Sequence, residues 1–236
     1  MLLLDGVHLI ADAIRSGLAV RHVAVTHDAR QQREIHDLLA ALSASGVEVD
    51  AVTPAVIEAM TPVRTPTGIV ALAERPADRT ARIFNGTSSL VVVGVDIQDP
   101  GNMGAIVRVA EAGGANGVVA AGASADPFGW KALRGSMGSA LRLPVASMAT
   151  ADAIEMVRSH GCRIVATAPR GGRMLFDADL SGPLAILIGG EGHGLDAKIM
   201  ASADERLTIP MEAPVESLNA ATTAALLVYE ARRQRM

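Results

Sequence analysis

Three polar segments, two of them rich in glycine, carry the residues of this chain that could do chemistry. Residues 99–104, 189–194 and 217–219 each follow an apolar run that predicts a buried strand. The loops at the carboxyl ends of parallel strands meet at one edge of an open α/β sheet, where such folds bind their ligands. We therefore expect the polar side chains of the three segments to form one site.

The first segment offers an amide, and the helix that it opens adds a guanidinium. Asn102 and Arg108 are six residues apart in a helix predicted to begin after Pro100, so both could address the region around its N-terminus. In one interpretation Asn102 caps the helix and Arg108 is a surface cation. In the other, both side chains face a ligand, and the segment alone does not decide between them.

The second segment is a glycine-rich loop with one carboxylate, Glu191. Its glycines would let the backbone approach a nucleoside-like ligand, but the G-x-G-x-G spacing after a late strand is not the dinucleotide fingerprint. Glu191 is either a solvated loop carboxylate or a positioned hydrogen-bond acceptor. In the third segment, Ser217 is either the N-cap of the final helix or, with Asn219, a hydrogen-bond partner of a reacting group.

Alternating strand and helix patterns must position these segments. Residues 90–95 are a continuous β-branched run typical of a parallel strand buried on both faces. Further strands are predicted at 117–121, 145–148, 163–167, 184–188 and 206–209, with helices between most of them and a final helix at 218–233. The pattern predicts an α/β fold with a mostly parallel sheet covered by helices on both faces.

The N-terminal part predicts a second, smaller α/β unit. Its elements are a helix near 6–16, a strand 20–26, a helix 31–45, a strand 47–52, a short helix after Pro54 and a strand 68–73. The polar, turn-rich residues that follow are typical of a linker. We therefore divide the chain into a domain at 1–75, a linker at 76–89 and a domain at 90–236.

Composition narrows the class of protein. A net charge of −4 and an aromatic content of 2% argue against a globally basic protein that stacks RNA bases on aromatic rings. A local patch of Lys131, Arg134 and Arg142 is still compatible with RNA binding, and a solvated charged face is the alternative.

The sequence also bears on where the protein is located and on whether it binds a metal. The apolar runs fall short of the roughly 18 residues of a membrane span, and the leucine-rich start lacks the basic leader of a signal peptide, so we expect no membrane association and a cytoplasmic location. Cys162, the single cysteine, is predicted to be a buried structural thiol. The six histidines lack metal-ligand spacing, so no metal is expected.

Taken together, the three segments resemble the motifs of the SpoU (TrmH-like) RNA 2'-O-ribose methyltransferases of the SPOUT superfamily. The matching residues are Asp99-Pro100-x-Asn102-x-Gly104-x-x-x-Arg108, Ile188-Gly189-x-Glu191-Gly192-x-Gly194, and Ile209-Pro210-Met211 with Ser217-Leu218-Asn219. The resemblance covers residues 90–236 well, and residues 1–75 look more weakly like the family's substrate-binding domain. The basic segment often found before Leu3 is absent, and Ala213 stands where the family usually has Gly.

The resemblance implies a trefoil-knotted, homodimeric enzyme that takes S-adenosylmethionine and needs no metal. The implied cofactor-binding residues are Gly189, Gly190, Gly192, Ile209, Met211, Leu218 and Asn219. The implied catalytic residues are Arg108, Asn102, Glu191, Ser217 and Asn219. The substrate would be a ribose 2'-hydroxyl of structured RNA, with 23S ribosomal RNA ahead of transfer RNA. A non-catalytic RNA-binding factor and a dinucleotide-dependent enzyme are the alternatives.

The family assigns Arg108 to the ribose hydroxyl and its adjoining phosphate. The hydroxyl must lose its proton as it attacks, and a guanidinium is a poor acceptor at neutral pH. Arg108 is therefore either the base or a group that stabilises the developing alkoxide and clamps the phosphate.

The final helix leaves two questions open. Its small apolar residues are either a dimer contact or an intramolecular core face: Ala221, Ala224, Ala225, Leu227 and Val228. Its last turn holds Arg232, Arg233 and Arg235, which either contact RNA or complement the helix dipole.

Overall fold

Two β-sheets organise the chain, which the computed structural model describes over residues 1–63, 65–86 and 88–236. The strands are β1 (Leu2–Asp5), β2 (Val20–Thr26), β3 (Glu48–Val52), β4 (Ile69–Ala73), β5 (Leu90–Val95), β6 (Gly117–Ala121), β7 (Val145–Met148), β8 (Arg163–Thr167), β9 (Arg173–Met174), β10 (Leu184–Gly189) and β11 (Glu205–Thr208). The α-helices are α1 (Val7–Arg15), α2 (His27–Arg30), α3 (Arg33–Ala44), α4 (Pro54–Met60), α5 (Pro100–Ala112), α6 (Trp130–Ser136), α7 (Ser139–Arg142), α8 (Thr150–Ser159), α9 (Ala197–Ser202) and α10 (Ala220–Arg235).

The N-terminal sheet is mixed and has the order β1-β4-β2-β3. Strand β1 pairs antiparallel with β4 and had not been predicted, because a four-residue leucine-rich run carries little strand signal. Its alternation nevertheless fits a strand, since Leu2 and Leu4 point into the core and are almost fully buried. The predicted helix at 31–45 corresponds to α3. The short helix α2 precedes it and was not predicted; it begins where the Thr26 hydroxyl accepts a hydrogen bond from the Ala29 N–H at 3.2 Å.

The larger sheet has the order β7-β6-β5-β10-β8-β11-β9, and all of its pairings are parallel. The expected α/β class is confirmed. The chain runs outward from β5 to β7 and later returns to place β10 beside β5, which makes a topological switch point between these two strands. Strands β5, β6, β7 and β8 have the predicted bounds, whereas the two-residue β9 was missed.

Helices cover both faces of this sheet because its strands are apolar on both sides. Val92 and Ile186 pack with α5, α6, α7 and α10, in a cluster that continues into the N-terminal domain. Val91 and Leu187 pack on the other face with α8, α9 and Ile83. Ile83 belongs to a 3-10 helix, Thr80–Phe84, within the segment predicted as a linker; residue 87 of that segment lies outside the described residues.

Helix α10 packs its small apolar side against the protein's own core. Ala224, Leu227 and Val228 are fully buried, and Val228 lies so close to Gly113 that a side chain there would collide with it. For these three residues the intramolecular interpretation is therefore correct. The opposite side of α10 exposes Leu226 and Tyr229.

In the last turn of α10, Arg235 holds the helix against the rest of the protein and Arg233 pairs within the helix. Arg235 donates hydrogen bonds to the carbonyls of Leu180 (3.0 Å) and Gly182 (2.5 Å). Arg233 pairs with Glu230, and the hydrogen bonds from Arg233 and then Gln234 lower the pKa of Glu230 to about 2. These contacts are structural, which neither interpretation of the arginines had foreseen.

Within residues 1–63, 65–86 and 88–236, the helices are too short or too polar to cross a membrane. Cys162 is buried as predicted, and burial raises the pKa of its thiol, an effect that Arg235 partly opposes.

Candidate functional site

The first turn of α5 begins at the carboxyl end of β5, next to the switch point. The Asp99 carboxylate caps the helix by accepting hydrogen bonds from the backbone N–H groups of Gly101 (2.6 Å) and Asn102 (3.0 Å). Because Asp99 already satisfies these donors, the side chain of Asn102 is free for another partner. The interpretation of Asn102 as the cap is therefore wrong.

Asn102, Glu191 and Asn219 meet in one hydrogen-bonded cluster, which takes one residue from each polar segment. The Asn102 Nδ2 donates to Glu191 Oε1 at 2.6 Å. The Asn219 Nδ2 donates to Asn102 Oδ1 and to Glu191 Oε1, both at 2.9 Å. The expectation that the three loops converge is thus met by these residues, which are 28 to 117 positions apart.

The start of α10 fixes the orientation of both amides. Asn219 is the N-cap, and its Oδ1 accepts from the backbone N–H groups of Ala221 (2.9 Å) and Thr222 (3.2 Å). Its Nδ2 must then face the other loops, and Asn102 must present its oxygen to Asn219 and its nitrogen to Glu191. Among the described residues, Glu191 Oε2 has no hydrogen-bond partner, so one oxygen of the carboxylate remains available.

The glycines of the second segment have two different roles. A side chain at Gly190 would collide with the backbone oxygen of Asp96, and one at Gly189 would collide with the backbone of Gly194. Both glycines are therefore required by the packing of the loop on itself and on Asp96, and a bridge between Gly190 and Gly194 closes the loop. Gly192 differs, because a side chain there would meet open space. Its backbone has a φ of 101°, which favours glycine.

Residues after β11 supply apolar surface at the same edge of the sheet. Ile209, Met211 and Leu218 are half-buried. The loop that follows β8 lies alongside, because the Gly172 N–H donates to the Thr208 hydroxyl at 3.0 Å. That loop was not predicted to lie at this edge, although its Gly171-Gly172 pair soon after a buried strand was an available signal.

Arg108 and Ser217 are not part of the cluster. Both are exposed, and in the described part of the chain neither side chain has a hydrogen bond or an ion pair. Arg108 lies about 9 Å along α5 from Asn102 and about a third of a turn around it. Ser217 is not the N-cap of α10, because Asn219 takes that position.

The predicted basic patch contains two available cations rather than three. Arg142 is engaged with Glu111 at 2.8 Å and with Asp12 at 2.9 Å, so its charge is compensated within the protein. Lys131 and Arg134 are exposed on α6 without a carboxylate partner among the described residues. The ammonium of Lys131 lies 5.5 Å from the ring centre of Trp130.

One group of described residues has the composition of a metal site. His22, Glu48 and Asp50 are exposed on the N-terminal sheet, and their ligand atoms lie within 4.8 Å of one another. The imidazole lies between the carboxylates, at 3.4 Å from Glu48 and 3.9 Å from Asp50, which is also the arrangement of a simple ion pair. The group is on the other sheet from the cluster.

Comparison with known families assigns both parts of the chain. Residues 89–229 match the SpoU rRNA Methylase family. Residues 3–78 match the RNA 2'-O ribose methyltransferase substrate binding domain.

Individual relatives span nearly the whole chain. A 23S rRNA (guanosine(2553)-2'-O)-methyltransferase of Bacillus subtilis is 30% identical, over 98% of this chain and 88% of its own. A 23S rRNA (uridine(2479)-2'-O)-methyltransferase of Streptomyces viridochromogenes is 38% identical, over 72% of this chain and 62% of its own. The crystal structure of the SpoU methyltransferase AviRb from the same organism, in complex with AdoMet, superposes with a TM-score of 0.89 at 33% identity and covers 98% of this chain and 89% of that one.

Replacing Asn219 by Asp should separate its capping role from its role in the cluster. Asp caps helices as well as Asn does, but Asn219→Asp would place a second carboxylate against Glu191. Like charges raise the pKa of one carboxyl in the folded state, so the resulting loss of stability should be present at pH 8 and should shrink as the pH falls towards 5. We expect a loss of about 1–2 kcal/mol at pH 8, measured by urea unfolding at both pH values.

The control is Asn219→Ser, which keeps a cap and adds no charge. Its loss of stability relative to the wild type should be the same at both pH values. An equal loss at pH 5 and pH 8 for Asn219→Asp would contradict the arrangement of the cluster.

Proposed function

This chain belongs to the SpoU rRNA methylase family, and from that premise we propose that it methylates a ribose 2'-hydroxyl of 23S ribosomal RNA with S-adenosylmethionine as the methyl donor. The observation that carries the proposal is the Asn102–Glu191–Asn219 cluster, which joins the three motif segments at the switch point of a parallel sheet. A cytoplasmic location follows from the proposed substrate, since that is where bacterial ribosomes are.

The residues around the cluster suit a nucleoside-bearing cofactor. Ile209, Met211 and Leu218 offer half-buried apolar surface, and Gly192 leaves open space beside it. Gly189 and Gly190 can contribute backbone groups only, since their own packing excludes side chains. When bound, S-adenosylmethionine supplies a methyl group on a sulfonium, a centre already activated for displacement.

We assign Arg108 to the ribose and its phosphate. Its guanidinium is exposed and offers the planar fork that binds phosphate oxygens in pairs. A protonated guanidinium stabilises a developing alkoxide better than it accepts a proton. Asn102, Ser217 and Asn219 would orient the ribose, and Glu191 Oε2 remains available to its hydroxyl groups.

RNA docking, in this proposal, depends on a few unpaired cations rather than on overall charge. Residues 1–75 carry nine Asp and Glu against six Lys and Arg, so this domain would recognise RNA by shape and hydrogen bonds. Lys131 and Arg134 lie on α6, which crosses α5 close to the turn that holds Asn102. The two relatives act on a guanosine and on a uridine, so the family motifs leave the choice of base to other residues.

A homodimer with a trefoil-knotted catalytic domain completes the proposal. Leu226 and Tyr229 are 38% and 51% exposed on one side of α10, an apolar pair that a second copy of the chain would cover. Arg108, without an intrachain partner in the described residues, is compatible with a site finished by the partner.

Arg108→Ala should lower kcat/KM for methyl transfer by at least about 100-fold, because one stabilising donor is lost from the transition state. Its affinity for S-adenosylmethionine should stay within a few fold of the wild type. Turnover is measured as the transfer of labelled methyl groups to ribosomal RNA, which is purified from cells that lack the gene. Cofactor affinity is measured by calorimetric titration. Arg82→Ala, which removes another exposed cation, is the control.

Undiminished turnover of Arg108→Ala would refute the role of Arg108. A wild type that binds RNA and cofactor without turnover would favour a non-catalytic factor.

Replacing Lys131 and Arg134 together by Ala should weaken RNA binding and reduce the slope of log K against log salt by about 1.5–2, as expected for two lost phosphate contacts. Lys198 and Arg206 are exposed cations elsewhere on the domain, so their double alanine variant is matched in charge. Filter binding over a range of salt concentrations provides the slopes. Equal slopes for both double variants would remove the α6 patch from the RNA interface.

Leu226→Glu combined with Tyr229→Asp should convert the protein from dimer to monomer, because charges would be buried in the apolar contact. Sedimentation velocity measures the change, and Met236→Glu at the exposed C-terminus is the control. A wild type that is monomeric at every concentration would contradict the dimer. A dimer that survives the double substitution would contradict this face.

A further inference from the structure

Arg142 joins the N-terminal domain to the helix that carries the first motif. Its Nε and Nη2 donate to the two carboxylate oxygens of Glu111, both at 2.8 Å, in a bidentate pair. Its Nη1 donates to Asp12 Oδ2 at 2.9 Å, across 130 positions of sequence. Asp12 belongs to α1 and Glu111 to the last turn of α5, so one guanidinium bridges both domains.

The surroundings hold this bridge in place. Gly138, with φ of 80°, lies against Asp12 so closely that a side chain there would displace the carboxylate from Arg142. Arg15 donates to the other oxygen of Asp12 at 2.5 Å. Nearby, Arg79 donates to the carbonyls of Leu141 (2.9 Å) and Ser16 (3.4 Å), which ties the same ends of α7 and α1 together.

The two carboxylates of the bridge are more shielded from water than its guanidinium. The side chains of Asp12 and Glu111 are 15% and 29% exposed, and that of Arg142 is 40% exposed. Partial burial opposes ionisation of Glu111, but the hydrogen bonds from Arg142 and Ser139 outweigh it and keep the pKa of Glu111 below its ordinary value. A bidentate, partly buried pair of this kind has a defined geometry, unlike most exposed pairs.

Helix α5 extends the geometry of the bridge to the site. Glu111 is nine residues from Asn102 and three from Arg108, so about 13 Å of continuous helix separates the bridge from the cluster. Between them α6 crosses α5 at Gly104, where a side chain would collide with the backbone of Ala132. A displacement of α1 would therefore be transmitted to the end of α5 that holds Asn102.

We propose that the Asp12–Arg142–Glu111 bridge is a positioning device that sets the N-terminal domain on α5, so that RNA held by this domain presents its ribose to the cluster. The inference rests on the proposed function. Arg142 then acts on the reaction through α5 and not by contact with RNA.

Asp12→Asn tests the proposal because it weakens the contact between domains and leaves the pair of Arg142 with Glu111. KM for a long ribosomal transcript that reaches both domains should rise roughly three- to tenfold, with kcat within twofold of the wild type. For a short transcript of the methylated loop alone, KM and kcat should be unchanged. Asp12→Glu, which keeps the carboxylate, should recover part of the loss. Glu74→Gln, which breaks the exposed pair with Arg21 inside the N-terminal domain, is the matched control.

A distance measurement tests the same bridge without any assay of activity. Spin labels at Ala41→Cys and Ala151→Cys, in a Cys162→Ala background, report the separation of the two domains from exposed helix positions. Asp12→Asn and Gly138→Ala should both broaden the distance distribution, although only the first removes a charge. Thermal unfolding identifies a variant that has lost its fold.

The outcomes separate the two proposals. An inactive wild type with an intact distance distribution would refute the proposed function and leave the bridge standing as an interdomain contact. An active wild type whose KM and distances are unmoved by Asp12→Asn would overturn the positioning role. An equal rise of KM for long and short transcripts would also overturn it, because a short RNA does not reach the N-terminal domain.

Discussion

The site depends on the side-chain amide of Asn219, whose oxygen and nitrogen both make hydrogen bonds. The oxygen of Asn219 is committed to the first backbone N–H groups of α10, so its nitrogen has to serve the loops after β5 and β10. A helix N-terminus thereby fixes the direction of every hydrogen bond in the cluster, down to the carboxylate of Glu191. Helix α10 is itself held by the burial of Leu227 and Val228 and by the contacts of Arg235 with backbone carbonyls. The chemistry at the sheet edge thus rests on the packing of the last helix.

Much of this arrangement could be predicted from the sequence, and the exceptions have a common physical origin. The continuous β-branched run at residues 90–95 has one stable solution, a strand buried on both faces, and β5 has those bounds. Helix caps are different, because several neighbouring residues are competent for the same role. Asp99 caps α5 in place of Asn102, and Asn219 caps α10 in place of Ser217. At α5 the side chain that does not cap, Asn102, finds its partner across the fold, whereas at α10 the same Asn219 both caps the helix and reaches the other loops.

Long-range ion pairs could not be predicted from the sequence either, because the fold decides which charged residues meet. The type and spacing of Arg142 fit a basic patch, and only the fold brings it to Asp12 and Glu111. Pairing of this kind also explains how an acidic chain can belong to a family that acts on RNA. Most arginines are engaged with carboxylates or carbonyls. The cations left unpaired in the described residues therefore indicate the surface available to RNA better than net charge does.

The folded-back loop at residues 189–194 bears on how variation within the family should be interpreted. Gly189 and Gly190 are pressed against the protein's own backbone, so natural selection would keep them as glycine even in a member that had lost its activity. Gly192 is under no such constraint from its neighbours, although its φ of 101° favours glycine. Glycine at positions 189 and 190 is therefore demanded by the architecture of the loop, whereas Glu191 is held by its side-chain hydrogen bonds with Asn102 and Asn219.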